Sequence, residues 1–185
     1  VPQVPVVDTS WSDAETFASD VVDAFIRQGL SQKSAFLLTA HVALSTGWGK
    51  KCHNWSLAGI KATESQPYVV LTGFENESGT HVYGAMKWRA FNTIDEGAAA
   101  VIGLLKVPRY ASAWSMLQAG DTNYFAEVGR NGWYTDPPES TAAEMRSRLK
   151  QIIDWLGIPD DSAFGGLFWA AAGAFLLWYW WKKKR

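Results

Sequence analysis

The sequence predicts an α+β protein: a mostly helical domain carrying one small β-hairpin, followed by a C-terminal transmembrane helix. Three observations point there. Apolar side chains recur at helical spacing through most of residues 12–156, with capping residues ahead of several runs. One interval, 68–91, is instead rich in β-branched and aromatic residues around a turn. Finally, residues 163–181 carry no charge at all.

In chain order, Ser12-Asp13-Ala14-Glu15 fits a capping box, and Phe17, Val21, Val22, Phe25 and Ile26 follow at helical spacing until Gly29. Ser31 or Ser34 caps a second helix, with Phe36, Leu37, Ala40 and Leu44 as its apolar residues and Gly47 as its stop. The strands are YVVLTGF and THVYGAMKWRAF, with Asn76-Glu77-Ser78-Gly79 turning between them. Helices resume from Thr93 or Asp95 to Lys106, then over 111–119, 123–129 and 141–156. Ile158-Pro159-Asp160-Asp161-Ser162 is a polar stop with a helix-ending proline. The expected organisation is an N-terminal helical segment (1–30) joined to the main domain (31–157), a linker (158–162), a membrane span (163–181) and a basic tail (182–185).

The span from Ala163 to Trp181 would measure roughly 28 Å as a helix, close to the thickness of a bilayer core. Trp178, Tyr179, Trp180 and Trp181 resemble an interfacial aromatic belt, and Lys182-Lys183-Lys184-Arg185 follows at once. A lipid bilayer is thus an expected partner, with the basic end inside and residues 1–160 on the far side. The N-terminus has no basic region followed by an apolar run, so it does not read as a signal peptide. A processed signal, a specialised insertion route and a membrane within a virion all satisfy this pattern. Gly165, Gly166 and Gly173 form no clean small-residue packing motif.

The net charge of −1 hides an asymmetry. Four of the 17 basic side chains stand in Lys182–Arg185, which leaves 13 against 18 acidic ones in residues 1–181. A body with a balance of −5 carries no basic footprint for nucleic acid. The single cysteine, Cys52, excludes an internal disulfide, and with so few histidines nothing suggests a metal site or a cofactor.

Five segments in order carry a family resemblance. AHVALSTGWGK (40–50) resembles the helix-end pattern A-Q-x-A-L-E-[ST]-G-W-G of the glucosaminidase family in the lysozyme superfamily, which includes flagellar-type, autolysin-type and phage peptidoglycan hydrolases. SLAGIKA (56–62) is similar to N-L-F-G-I-K-A, TGFENESGTHV (72–82) to the flap hairpin, WRAF (88–91) to F-R-x-Y, and GWYTDP (132–137) to G-Y-A-T-D-P. The resemblance implies a lysozyme-like fold, an endo-β-N-acetylglucosaminidase type of activity, and glycan strands of peptidoglycan as substrate. It also implies a phage or bacterial cell-wall protein, with virion or envelope assemblies as further partners.

By the same resemblance Ser45 occupies the place of the acid glutamate, and Glu75 that of the second carboxylate. Glycoside hydrolysis needs a carboxylic acid to protonate the leaving oxygen, which a serine hydroxyl is far too weak to do. The family's cleft tyrosine falls on Trp133, with Tyr134 adjacent. The expected outcome is an impaired hydrolase, or alternatively a module that binds peptidoglycan or serves a structural role without cutting. Trp48, Trp88, Trp133 and Tyr134 are the candidate substrate contacts; Trp48 reads equally well as a core tryptophan closing the helix. Glu75 reads as a base or stabiliser, or as a solvated hairpin charge. His41 lies one turn before Ser45 and could pair with it, although no acid within helical reach would orient the imidazole. Gly59 suggests close backbone approach, Arg89 a packed stem with an ion pair, and Asp136 a turn cap.

Overall fold

A computed structural model describes residues 2–77 and 80–157, with the side chains of 74–77, 80 and 81 left out. The expected span over 163–181 and its flanks lie outside the described residues; among those described, no helix is long and apolar enough to cross a membrane.

The order of elements is α1 (Ala14–Arg27), α2 (Gln32–Thr46), β1 (Tyr68–Glu77), β2 (Thr80–Arg89), α3 (Ile94–Leu105), a 3-10 turn (Pro108–Tyr110), α4 (Ala111–Gln118), α5 (Tyr124–Arg130) and α6 (Pro138–Leu156). The α+β reading therefore holds for the described residues, as a helical body with one antiparallel hairpin. One correction concerns α1. Its cap is Asp13, whose carboxylate accepts from the Thr16 amide at 2.7 Å and the Thr16 hydroxyl at 2.8 Å, in place of the Ser12–Glu15 box. For α2, Ser31 is the cap and Gly47, left-handed at φ 59°, the stop. Helix α6 begins three residues earlier than predicted because Pro138 fits the first helical turn, where no amide donor is needed. Its N-cap is Pro137, with no side-chain cap.

The core forms where α1, α2, α3, α5 and α6 converge, with Phe17, Phe25, Leu37, Leu38, Leu105, Phe125, Met145 and Leu149 essentially inaccessible. Helix α2 is buried almost all round, from Ser34 to Ala43, which only a helix surrounded by others can be. Its far end therefore has a fixed position and reaches the surface only in its last turn, at Leu44 and Ser45.

Residues 47–56 are held by an arm that sequence reading left unassigned. Asn54 accepts the Val7 amide on its side chain (2.9 Å), donates to the Pro5 carbonyl (3.1 Å), and gives its own amide to the Val7 carbonyl. Thr9 accepts the Trp55 amide at 3.0 Å. Two non-glycine residues of this stapled stretch are left-handed, Asn54 (φ 48°) and Trp55 (φ 54°), and Trp48 (φ 60°) is a third in the turn before it. Bulky residues adopt that conformation only when surrounding contacts enforce it, and such outliers gather at functional sites.

The hairpin pairs Val69 with Trp88, Leu71 with Met86 and Gly73 with Gly84. It is tied to the body through its base: Arg89 donates its amide to Ile60, and Ala62 to Lys87. Gly97 of α3 sits so close to the 47–56 segment that a Cβ there would lie 2.1 Å from the Trp55 carbonyl oxygen.

Candidate functional site

The last turn of α2 and the hairpin face each other across an open cavity of about 500 Å³. Ser45 lines it from the helix; Leu71, Thr72, Gly73 and Trp88 line it from the hairpin. The Trp88 indole lies over two glycines. A Cβ on Gly59 would stand 3.5 Å from its ring, and one on Gly73 only 2.8 Å. Glycine at 73 thus leaves room for the half-buried indole.

Behind Ser45 the polar groups close on themselves. Ser45 Oγ is 2.9 Å from Tyr134 Oη, and Tyr134 donates to the His41 carbonyl at 3.2 Å. Burial pushes the Tyr134 phenol well above its usual range, only partly countered by its bond to Ser45, so it stays protonated and is a poor proton donor. His41 is fully buried and turned elsewhere: its Nδ1 shares a 2.5 Å hydrogen bond with Tyr124 Oη. Its ring meets Trp133 edge-on, with centroids 4.7 Å apart. Desolvation lowers its pKa to about 3, so the imidazole is neutral. Ser45 bonds to Tyr134 and not to this ring, so the His41–Ser45 couple is not formed.

Of the residues predicted for the site, Ser45 and Trp88 share the cavity and Tyr134 backs it. Trp48 and Trp133 are not in its lining. Trp48 packs between Phe17 (6.2 Å) and Trp155 of α6 (5.2 Å), and Trp133 between His41 and Tyr110. Glu75 stands in β1 opposite Val82, two residues past Gly73. The Arg89 guanidinium lies 4.9 Å over the Phe91 ring, a packed stem with an aromatic face as its partner. Sequence reading missed Lys51, His53 and Ser56, which also line the cavity. Lys51 and His53 were signalled only by their position after the Gly-Trp-Gly turn, whereas Ser56 opens the SLAGIKA segment. A second cavity, about 710 Å³, lies between residues 60–66 and α3 and holds none of the predicted catalytic or substrate residues.

No protein-family model matches the chain, and no curated protein matches it significantly. Solved structures do. A mutant of a peptidoglycan hydrolase from Sphingomonas sp. A1 is 25% identical, with a TM-score of 0.55, over 76% of this chain and 94% of that one. The glycoside hydrolase domain of FlgJ from Salmonella typhimurium, C-terminally truncated, is 24% identical with a TM-score of 0.56, over 77% and 99%. The catalytic domain of the autolysin Auto from Listeria monocytogenes is 18% identical with a TM-score of 0.58, over 84% and 90%. The resemblance read in the sequence is thus matched at the level of the fold, which the chain shares with these peptidoglycan and glycoside hydrolase domains.

Proposed function

We propose that this protein presents a peptidoglycan-binding cleft of the glucosaminidase type in which glycan cleavage is severely impaired, because Ser45 stands where the proton donor belongs. The observation that carries the reading is the placement of Ser45: a half-buried hydroxyl in the last turn of α2, lining an open furrow opposite Trp88. No acid belongs to the described lining of that furrow. Neither neighbour can replace one, since Tyr134 holds its proton too tightly and His41 is buried and neutral. Loss of a general acid costs about 10²–10⁴-fold in rate. Trp88 supplies an aromatic face for a sugar ring, and Glu75 is the second carboxylate of the proposal.

Residues 163–181 complete the proposal as a lipid anchor that holds the cleft against the wall or inside a virion membrane. Their charge-free run, aromatic cluster and following cations support it. A chain ending at Gly157 is then expected in the soluble fraction, whereas the full chain stays with membranes after alkaline extraction.

The cleft itself is tested by pelleting with purified peptidoglycan and by zymography. Co-sedimentation without clearing is the expected result for this chain, and clearing for Ser45→Glu. Clearing by the unaltered chain removes the impairment; failure of both variants to sediment removes the glycan and leaves a protein-contact role.

A further inference from the structure

Helix α6 ends at Leu156, and the chain leaves the described domain at Gly157. Five residues, 158–162, separate that point from Ala163, where the charge-free run begins. Such a linker reaches about 22 Å at full extension. On the lipid-anchor reading above, on which this inference rests, the end of α6 is therefore confined close to the bilayer.

The furrow shares that end of the molecule. Trp155, in the last turn of α6, packs on Trp48 with ring centroids 5.2 Å apart. Trp48 belongs to the Gly-Trp-Gly turn that closes α2, three residues past Ser45. Phe17 also packs against Trp48 and meets Trp11 edge-on at 5.0 Å. Gly49 lets this row close up, since a Cβ there would lie 2.5 Å from Phe17 and 2.6 Å from Trp11. One aromatic row thus ties the start of α1 and the ends of α2 and α6 into a single pole. Trp155 is 36% exposed at that pole. An exposed apolar side chain on its own is ordinary. An indole exposed where the chain is handed to a bilayer stands at the level that tryptophan favours, between water and acyl chains.

We infer that this pole of the domain rests on the surface of the anchoring bilayer, with the exposed edge of Trp155 among the lipid headgroups. The partner is the headgroup layer of the membrane that holds residues 163–181. The furrow then stands beside the membrane and meets material lying against it, because Ser45 is one turn from the docked row and the short linker forbids a longer reach.

The test is energy transfer from the full chain, reconstituted into phosphatidylcholine vesicles, to an acceptor dye on the lipid headgroups. The donor dye is carried by Gln151→Cys, one turn before Trp155, or by Ser140→Cys near the start of α6, roughly 16 Å away along the helix axis. The native Cys52 does not compete for the dye, because it is buried and desolvation pushes its thiol up to about 11. Flotation of the same samples reports whether the chain is anchored. Transfer should be more efficient from position 151 than from position 140. Trp155→Ser should abolish that difference, while Trp155→Tyr, which keeps an interfacial aromatic, should retain it. Equal transfer from the two positions, or a difference that survives Trp155→Ser, overturns the inference and, where the vesicles float with the chain, leaves the anchor standing. Chains that do not float with the vesicles overturn both.

Discussion

Two residues on adjacent turns of α2 have opposite fates, and both can be measured. Ser45 reaches the cavity, whereas His41 is sealed among Tyr124, Trp133 and Tyr134. A histidine whose pKa falls from 6.5 to about 3 on folding binds no proton in the native state between those values, while the unfolded chain binds one. Its contribution is therefore complete above pH 6.5 and is lost as the pH falls toward 3, at about 1.4 kcal/mol per pH unit. Denaturant titrations at pH 7, 5 and 4 should show this slope in the parent and a shallower one in His41→Phe, and equal slopes would contradict it. Ser45 has its own electrostatic context. It stands at the carboxyl end of α2, where the helix dipole opposes a negative charge, and it is half-buried. A glutamate introduced there would hold its proton more tightly than a free carboxyl group, as a general acid should. With Tyr134 Oη only 2.9 Å from Ser45 Oγ, the longer side chain must turn outward into the cavity.

At the level of elements, caps and close approaches fix the furrow. Thr93 caps α3 by accepting the Glu96 amide at 3.2 Å, while Glu96 accepts the Asn92 amide at 2.9 Å. Thr93→Ala should cost about 1 kcal/mol, a fall in melting temperature of roughly 2–4 °C. Gly97→Ala should cost more, about 2 kcal/mol, because its Cβ would meet the Trp55 carbonyl and force apart α3 and the segment carrying Lys51 and His53. A thermal melt of the two variants checks the order, and Gly97→Ala at parental stability would deny the close contact. Much at this scale was legible in sequence. Helical spacing and capping residues placed the helices within a few residues, and the family pattern put Ser45 at the end of α2. The remainder depended on tertiary partners that local spacing does not report. Trp48 read equally as a cleft face or as a core tryptophan, and only tertiary partners, Phe17 and Trp155 from α6, favour the second. Lys51, His53 and Ser56 lie in a segment without periodicity, shaped by left-handed residues and by the N-terminal arm. Tyr134 reached Ser45 only through the docking of the turn after α5.

For the whole molecule, the helical body supplies one wall of the furrow and the hairpin the other, on a fold shared with solved peptidoglycan and glycoside hydrolase domains. In the proposed function, what disarms the furrow is chemistry at one position, Ser45. The measurement that tests this most directly is the rate of reducing-end release from purified peptidoglycan by the parent and by Ser45→Glu, run side by side at equal folded concentration. The account predicts at least about 10²-fold faster release by the glutamate variant. A parent chain that cuts as fast as its glutamate variant would contradict it.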